Sequence, residues 1–245
     1  LKGLKKQLVI DLGNSRIKLG VFANGLLQDH LIFSDLDDSF STYITKGAWE
    51  KIMVSSTGDW ELVEKIQAWV GQIPFFVLEI SQVKGIQWAY QNLGSLGKDR
   101  IASLKGAQEK WPQKWLCVAD AGTCLTLDFL GPDGKHWGGI ISPGLQMRFA
   151  AMSKFTARLP IAHVSNWQGL LGNSTESCLA AGAVSGMVGE IEFQLKQFKI
   201  RHSAETLLVL AGGDADYLAH HLISANFVAP FLVLEGLHSV LSNLG

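Results

Sequence analysis

The chain has 245 residues, 21 of them basic and 22 acidic, giving a formal net charge of −1. A hydrophobic share of 47% supplies ample core material and excludes a disordered chain. The lack of a basic excess argues against a nucleic acid partner, and no apolar run approaches the ~20 residues that a membrane span needs.

Gln7 to Leu12 is an apolar run ending on Asp11, and Arg16 to Phe22 alternates with Ile17, Leu19 and Val21 on one face. With Gly13-Asn14 between them, the two runs read as a hairpin. The Asp35, Asp37, Asp38 cluster reads as a solvated loop. Lys51 to Ser55 is a short buried strand, and Asp59 is placed to cap a helix carrying Leu62, Val63, Ile66 and Val70 at helical spacing. Pro74 to Leu78 is a further strand, and Lys98 to Lys110 a helix.

The second half opens in the same way. Trp115 to Ala119 leads into Asp120-Ala-Gly122-Thr123, and Cys124 to Phe129 then alternates. Gly138 to Gly144 is a strand with a Pro-Gly turn, followed by a helix from about Leu145 to Arg158. A longer helix covers roughly Ser177 to Phe198; its Gly182-x-x-x-Gly186 spacing suggests tight packing. Thr206 to Leu210 is a strand running into Gly212-Gly213 and a helix. Phe227 to Leu234 reads as a last strand before a short final helix. Cys117, Cys124 and Cys178, odd in number and without Cys-x-x-Cys spacing, form neither a disulfide framework nor a zinc site, which fits a reducing cytoplasm. The eight tryptophans are scattered and read as packing residues. His220-His221 point in different directions on a helix, against a metal site there.

Strand, Asp-x-Gly, strand thus occurs at Asp11-Leu12-Gly13 and again at Asp120-Ala-Gly122. The repeat predicts two α/β halves, 1–114 and 115–245, with a cleft between them. Glycine in a tight turn admits a phosphate close to the backbone, and successive N–H groups there form an anion-binding concavity. Asn14 and Ser15 add side-chain donors. Asp11 could hold Mg²⁺ directly or through its waters, since hard cations prefer oxygen ligands. Asp120-x-Gly122-Thr123 is the same device with a hydroxyl after the glycine. In Gly97-Lys98-Asp99-Arg100, a carboxylate in the first turn of a helix is favoured by the helix dipole. Asp99 there is either a capping residue or a base for a hydroxyl proton, and Arg100 could clamp a carboxylate or phosphate.

Taken in order, these segments resemble the type III pantothenate kinases, within the acetate and sugar kinase, Hsp70 and actin superfamily. The resemblance runs through Asp11 to Ser15, Gly97 to Arg100, Asp120 to Thr123, Gly138 to Gly144, Gly212 to Ala215 and Leu232 to Leu237. It implies duplicated ribonuclease H-like lobes of the actin/hexokinase ATPase type and ATP-dependent phosphorylation of pantothenate in coenzyme A biosynthesis. Asp99 would accept the proton of the substrate hydroxyl. Asp11, Leu12, Gly13, Asn14, Ser15, Arg16, Ile17 and Lys18 would hold ATP phosphates, with Asp11 near Mg²⁺ and Thr123 also on ATP. Asp120 would help bind a monovalent cation, K⁺ or NH₄⁺. Tyr90, Gly97, Lys98, Asp99, Arg100 and Thr175 would contact pantothenate. The family is dimeric, with the pocket near the subunit interface. Ser15 stands where Thr is usual, Lys98 where a small residue is usual, and Ala229 where Asn is common. A non-enzymatic nucleotide-binding regulator of the same fold, or a kinase for another small acid, are the alternatives.

Overall fold

The computed structural model describes residues 5–56, 58 and 60–244. Two compact units divide them, 1–112 with 231–245 and 113–230. The first holds β1 (Lys6–Leu12), β2 (Ile17–Ala23), β3 (Leu26–Phe33), α1 (Asp38–Lys46), β4 (Trp49–Ser56), α2 (Trp60–Val70), β5 (Phe75–Val77) and α3 (Lys98–Lys110). The second holds β6 (Trp115–Ala121), β7 (Cys124–Leu130), β8 (His136–Pro143), α4 (Leu145–Lys154), α5 (Thr175–His202), β9 (Thr206–Ala211), α6 (Ala215–Ala219) and β10 (Ala225–Val228). The last helix, α7 (Leu232–Ser242), returns to the first unit.

The duplication is explicit in the sheets. Strand order is β3-β2-β1-β4-β5 in one unit and, read in the same sense, β8-β7-β6-β9-β10 in the other. In each, three strands form an antiparallel meander and two more add in parallel to the first. Parallel addition requires crossovers, and α1, α2 and α4 to α6 supply them. Each sheet has its own core: Leu8, Ile10, Leu19, Phe40, Ile52 and Val54 in the first, Leu125, Leu127, Val184, Met187, Leu208 and Leu210 in the second.

Several expectations are corrected. Of the expected Phe227–Leu234 strand only Phe227 and Val228 are in a strand, the end of Ala225–Val228; from Leu232 the chain is helical. A continuous apolar run suits either state, and here Leu232, Val233, Gly236, Leu237, Val240 and Leu241 bury a helical face. That face packs on α3, so the segment expected within 115–245 is part of the first unit. Contact is backbone to backbone: a Cβ on Gly236 would lie 2.6 Å from the Ala102 carbonyl carbon, and one on Gly106 would strike the Leu232 carbonyl. Of the aspartate cluster expected in a solvated loop, all three are exposed, but Asp38 opens α1 and Asp37 caps it, accepting from Phe40 N at 2.9 Å. The strand β3 carries no alternating signal because it is an edge strand, largely exposed. The helix α4 stops at Lys154. Gly182 and Gly186 lie on an exposed face of α5, not a tightly packed one. The capping role expected of Asp59 lies outside the described residues. Cys117 is buried, Cys124 half-buried and Cys178 exposed. Among the described residues no helix is long and apolar enough to cross a membrane.

Candidate functional site

In the first unit, strand register assembles the chemistry around Asp11. Directly opposed residues on neighbouring strands project to the same face. Asp11 opposes Lys18 on β2 and Ser55 on β4, so the three form one polar row across three strands. Ser55 Oγ donates to Asp11 Oδ1 at 2.7 Å, and both residues are buried. Burial holds the Asp11 carboxyl above its ordinary range; the Ser55 hydrogen bond and the Lys18 ammonium oppose that shift, and the nearby Asp99 carboxylate adds to it. The turn that follows closes with Gly13 N donating to Arg16 O at 3.2 Å. Gly13, Asn14, Ser15 and Arg16 are exposed there, whereas the Leu12 and Ile17 side chains are in the core, so these two can offer a ligand only their backbone.

Asp99 lies in the first turn of α3. Its Oδ1 accepts from Arg100 N at 2.8 Å, and a Cβ on Gly97 would sit 2.5 Å from that same oxygen, which explains glycine before this helix. Arg100 is buried, with its guanidinium 5.6 Å from the centre of the Tyr90 ring. The Lys98 ammonium is turned to Glu79, at 3.2 Å. A cation at a helix N-terminus is disfavoured by the helix dipole, and Glu79 offsets it. The structure therefore brings Asp11, Lys18 and Asp99 into one electrostatic neighbourhood, and Arg100, next to Asp99 in sequence, lies over the Tyr90 ring.

In the second unit the equivalent hairpin is closed by glycines. Gly122 N donates to Cys124 O at 2.9 Å. A Cβ on Gly144 would lie 2.6 Å from Thr123 O, and one on Gly212 2.5 Å from Asp120 Oδ1. Gly212 also adopts φ +88°, a conformation open chiefly to glycine. Two strand-to-helix turns thus press on the Asp120–Thr123 turn, joined by Gly144 N to Thr123 O at 3.2 Å and Asp214 N to Ala121 O at 3.0 Å. Thr123 is exposed and Asp120 half-buried. Thr175 opens α5 behind the cap Ser174, whose Oγ accepts from Ser177 N, and is exposed.

Among the described residues no group of three or more His, Cys, Asp or Glu side chains could hold a metal ion. Asp11 nonetheless fits Mg²⁺ as this ion is held with phosphates, through one carboxylate and water rather than an all-protein cage. Asp120, with Gly212 against its Oδ1, offers an oxygen in a space that a side chain would fill. Ser55 carries no signal in the sequence, because its relation to Asp11 depends on a parallel register. In the sequence Gly144 reads only as a turn residue.

A family model described as type III pantothenate kinase matches residues 7–197. The chain is 31% identical over 238 residues to a type III pantothenate kinase of Flavobacterium psychrophilum, covering 95% of this chain and 97% of that one. It is 33% identical to one of Bacteroides fragilis, covering 96% and 97%. Among solved structures it is similar to a conserved putative Baf family transcriptional activator from Campylobacter jejuni, with 22% identity, a TM-score of 0.66 and coverage of 96% and 97%. It is also similar to a glucokinase from an Antarctic psychrotroph, with 11% identity, a TM-score of 0.56 and coverage of 98% and 99%. These structural likenesses show the fold, duplicated ribonuclease H-like α/β lobes of the hexokinase and actin ATPase type.

Proposed function

The chain belongs to the type III pantothenate kinase family, and on that premise we propose that it transfers the γ-phosphoryl group of ATP to the primary hydroxyl of pantothenate, opening coenzyme A biosynthesis. The observation that carries the reading at residue level is in the first unit. Asp11 and Asp99, distant in sequence, share one electrostatic neighbourhood.

Phosphoryl transfer asks a protein for positioning and charge neutralisation more than covalent work. The turn from Asp11 to Lys18 would receive ATP phosphates on its exposed backbone, with Lys18 and the Arg16 side chain as cations. Thr123, in the equivalent turn after β6, would contact ATP through its hydroxyl. Arg100, held over Tyr90, would clamp the substrate carboxylate, with Gly97 and Thr175 as further contacts. Asp99 would accept the hydroxyl proton as the new bond forms. Lys98 would act through its tether to Glu79 and not on substrate directly. Mg²⁺ at Asp11 and a monovalent cation at Asp120, when bound, would supply charge neutralisation to the triphosphate. The reading places the enzyme in the cytoplasm.

The outward face of α5 supports a homodimer. It is lined by Gly182, Gly186 and Gly189, and Phe193 and Ile200 beside it are 57% and 63% exposed. The decisive experiment is ADP release with ATP and Mg²⁺, with and without pantothenate and with and without K⁺, on protein whose mass is set by light scattering. Pantothenate-dependent ADP release from a protein of twice the chain mass is expected. No pantothenate-dependent release would refute the kinase reading, and a monomer mass the dimer.

A further inference from the structure

Ser55 is not among the phosphate-turn or substrate positions, yet it is bonded to their central carboxylate. Ser55 is 1% exposed and sits on β4, with Asp11 opposite it in the parallel register. A serine in the buried stretch of a strand is out of place unless its hydroxyl is used, because an unsatisfied buried hydroxyl costs about 1–3 kcal/mol. Its neighbours Ile52, Met53 and Val54 are all fully buried apolar residues. The strand turns polar at the position facing Asp11, and Ser55 Oγ donates to Oδ1 at 2.7 Å.

That bond has a geometric consequence. An ionised carboxylate has two oxygens and about four lone-pair positions. Ser55 occupies a position on Oδ1 and fixes the carboxylate plane against its own stiff strand. Lys18, opposite on the other side, sits on the flanking strand of the same row. We infer that Ser55 is a positioning residue, which orients the Asp11 carboxylate so that its second oxygen is presented in one geometry to the divalent cation of the nucleotide or to a water on that cation. The inference rests on the kinase reading for the identity of the cation, but its test does not depend on turnover.

The measurement is Mn²⁺ binding by electron paramagnetic resonance, in the presence of the non-hydrolysable analogue adenylyl imidodiphosphate, on the full chain. Wild type, Ser55→Ala, Asp11→Asn and the double variant are compared, with thermal unfolding recorded for each. Ser55→Ala is expected to weaken Mn²⁺ in the nucleotide complex roughly tenfold, in line with loss of one hydrogen bond to a charged group. In the Asp11→Asn background the same change is expected to have no further effect, since Ser55 acts through Asp11. Should Ser55→Ala not fold, Ser55→Cys, near-isosteric and a weak donor, carries the same comparison. Unchanged Mn²⁺ affinity in a folded Ser55 variant overturns the inference, as does an equal loss with and without Asp11. Mn²⁺ binding that responds to Ser55 in a protein releasing no ADP with pantothenate would leave the positioning role standing and refute the substrate assignment.

Discussion

Gly236→Ala should damage both stability and turnover, from a single added methyl group. In the contact between α7 and α3 the new Cβ would stand 2.6 Å from the Ala102 carbonyl carbon and 2.9 Å from Gly106 N, with the Ala102 carbonyl oxygen closer still. Ordinary van der Waals contact begins at 3.4 Å, so the carbon contact alone is short by about 0.8 Å. The atoms struck belong to backbone, which cannot rotate away as a side chain does. Over-packing of this kind costs about 1–3 kcal/mol and more where relaxation is blocked. At ~2–4 °C per kcal/mol for a chain of this size, Tm should fall by roughly 5–10 °C. Relief must come from α3 moving off α7. Asp99 and Arg100 sit within one turn of Ala102 on α3, and a displacement near 1 Å can cost on the order of 10²-fold in rate. Scanning calorimetry and the ADP assay are to be run beside Ser239→Ala, a change in the same helix that adds no atom. A Tm for Gly236→Ala equal to that of Ser239→Ala would show that the helix contact is looser than described and would refute the reasoning.

Asp99→Asn is expected to lower kcat by about 10²–10⁴-fold with ATP affinity little changed; near-normal turnover would remove it as proton acceptor. Gly212→Ala forces a Cβ into a φ of +88° and against Asp120. At ~1–2 kcal/mol for the backbone conformation alone, Tm should fall by a few degrees or more, and the K⁺ concentration needed for half-activation should rise; unchanged K⁺ dependence would separate Asp120 from the cation. His238, stacked on Phe22 with ring centres 4.0 Å apart, is pulled by burial from 6.5 down to about 4. The unfolded chain therefore binds the proton more tightly between these values, and stability must fall as pH drops through that window, by roughly 3 kcal/mol. Urea unfolding at pH 7 and pH 4.5 should show this slope in wild type and a flatter one in His238→Gln. The elevated Asp11 carboxyl contributes with the opposite sign, stability falling as pH rises above 3.8, but equally in both proteins. Parallel slopes would rule out His238 as the source.

Local chemistry was legible in the sequence; long-range registration was not. The two Asp-x-Gly hairpins were visible because a hairpin is a contiguous pattern, and their recurrence announced the duplication that the matched strand orders display. Asp99 was visible because a helix start is contiguous too. Ser55 was hidden, since its bond to Asp11 spans 44 positions and depends on which residue of β4 faces β1. Phe227 to Leu234 reads as one strand because it is apolar throughout, and an unbroken apolar run carries no period. The placement of α7 was also hidden. Sequence order suggests that a terminal segment folds with what precedes it, whereas two glycines, Gly106 and Gly236, decide its partner by allowing backbones to touch.

Comparison of equivalent positions shows how the duplicated device has diverged. In the first unit the row across the central strands is Lys18, Asp11, Ser55. The corresponding row in the second is Thr126, Asp120, Ala211. The first aspartate thus has a cation and a hydroxyl as cross-strand neighbours, while the second has a hydroxyl and a methyl. The turns differ in the opposite sense. The Asp11 turn presents Gly13 to Arg16 openly, whereas the Asp120 turn is enclosed by Gly144 and Gly212. A carboxylate with built-in charge balance and an open turn suits a multiply charged ligand that arrives with its own metal. A carboxylate without a cation in its row, inside a glycine-walled space, suits a single small cation. Exchanging rows tests this division: Ala211→Ser should leave the proposed K⁺ requirement in place, whereas Thr126→Lys, which supplies a charge beside Asp120, should lower it, and an unaltered requirement in Thr126→Lys would argue that the cation acts elsewhere.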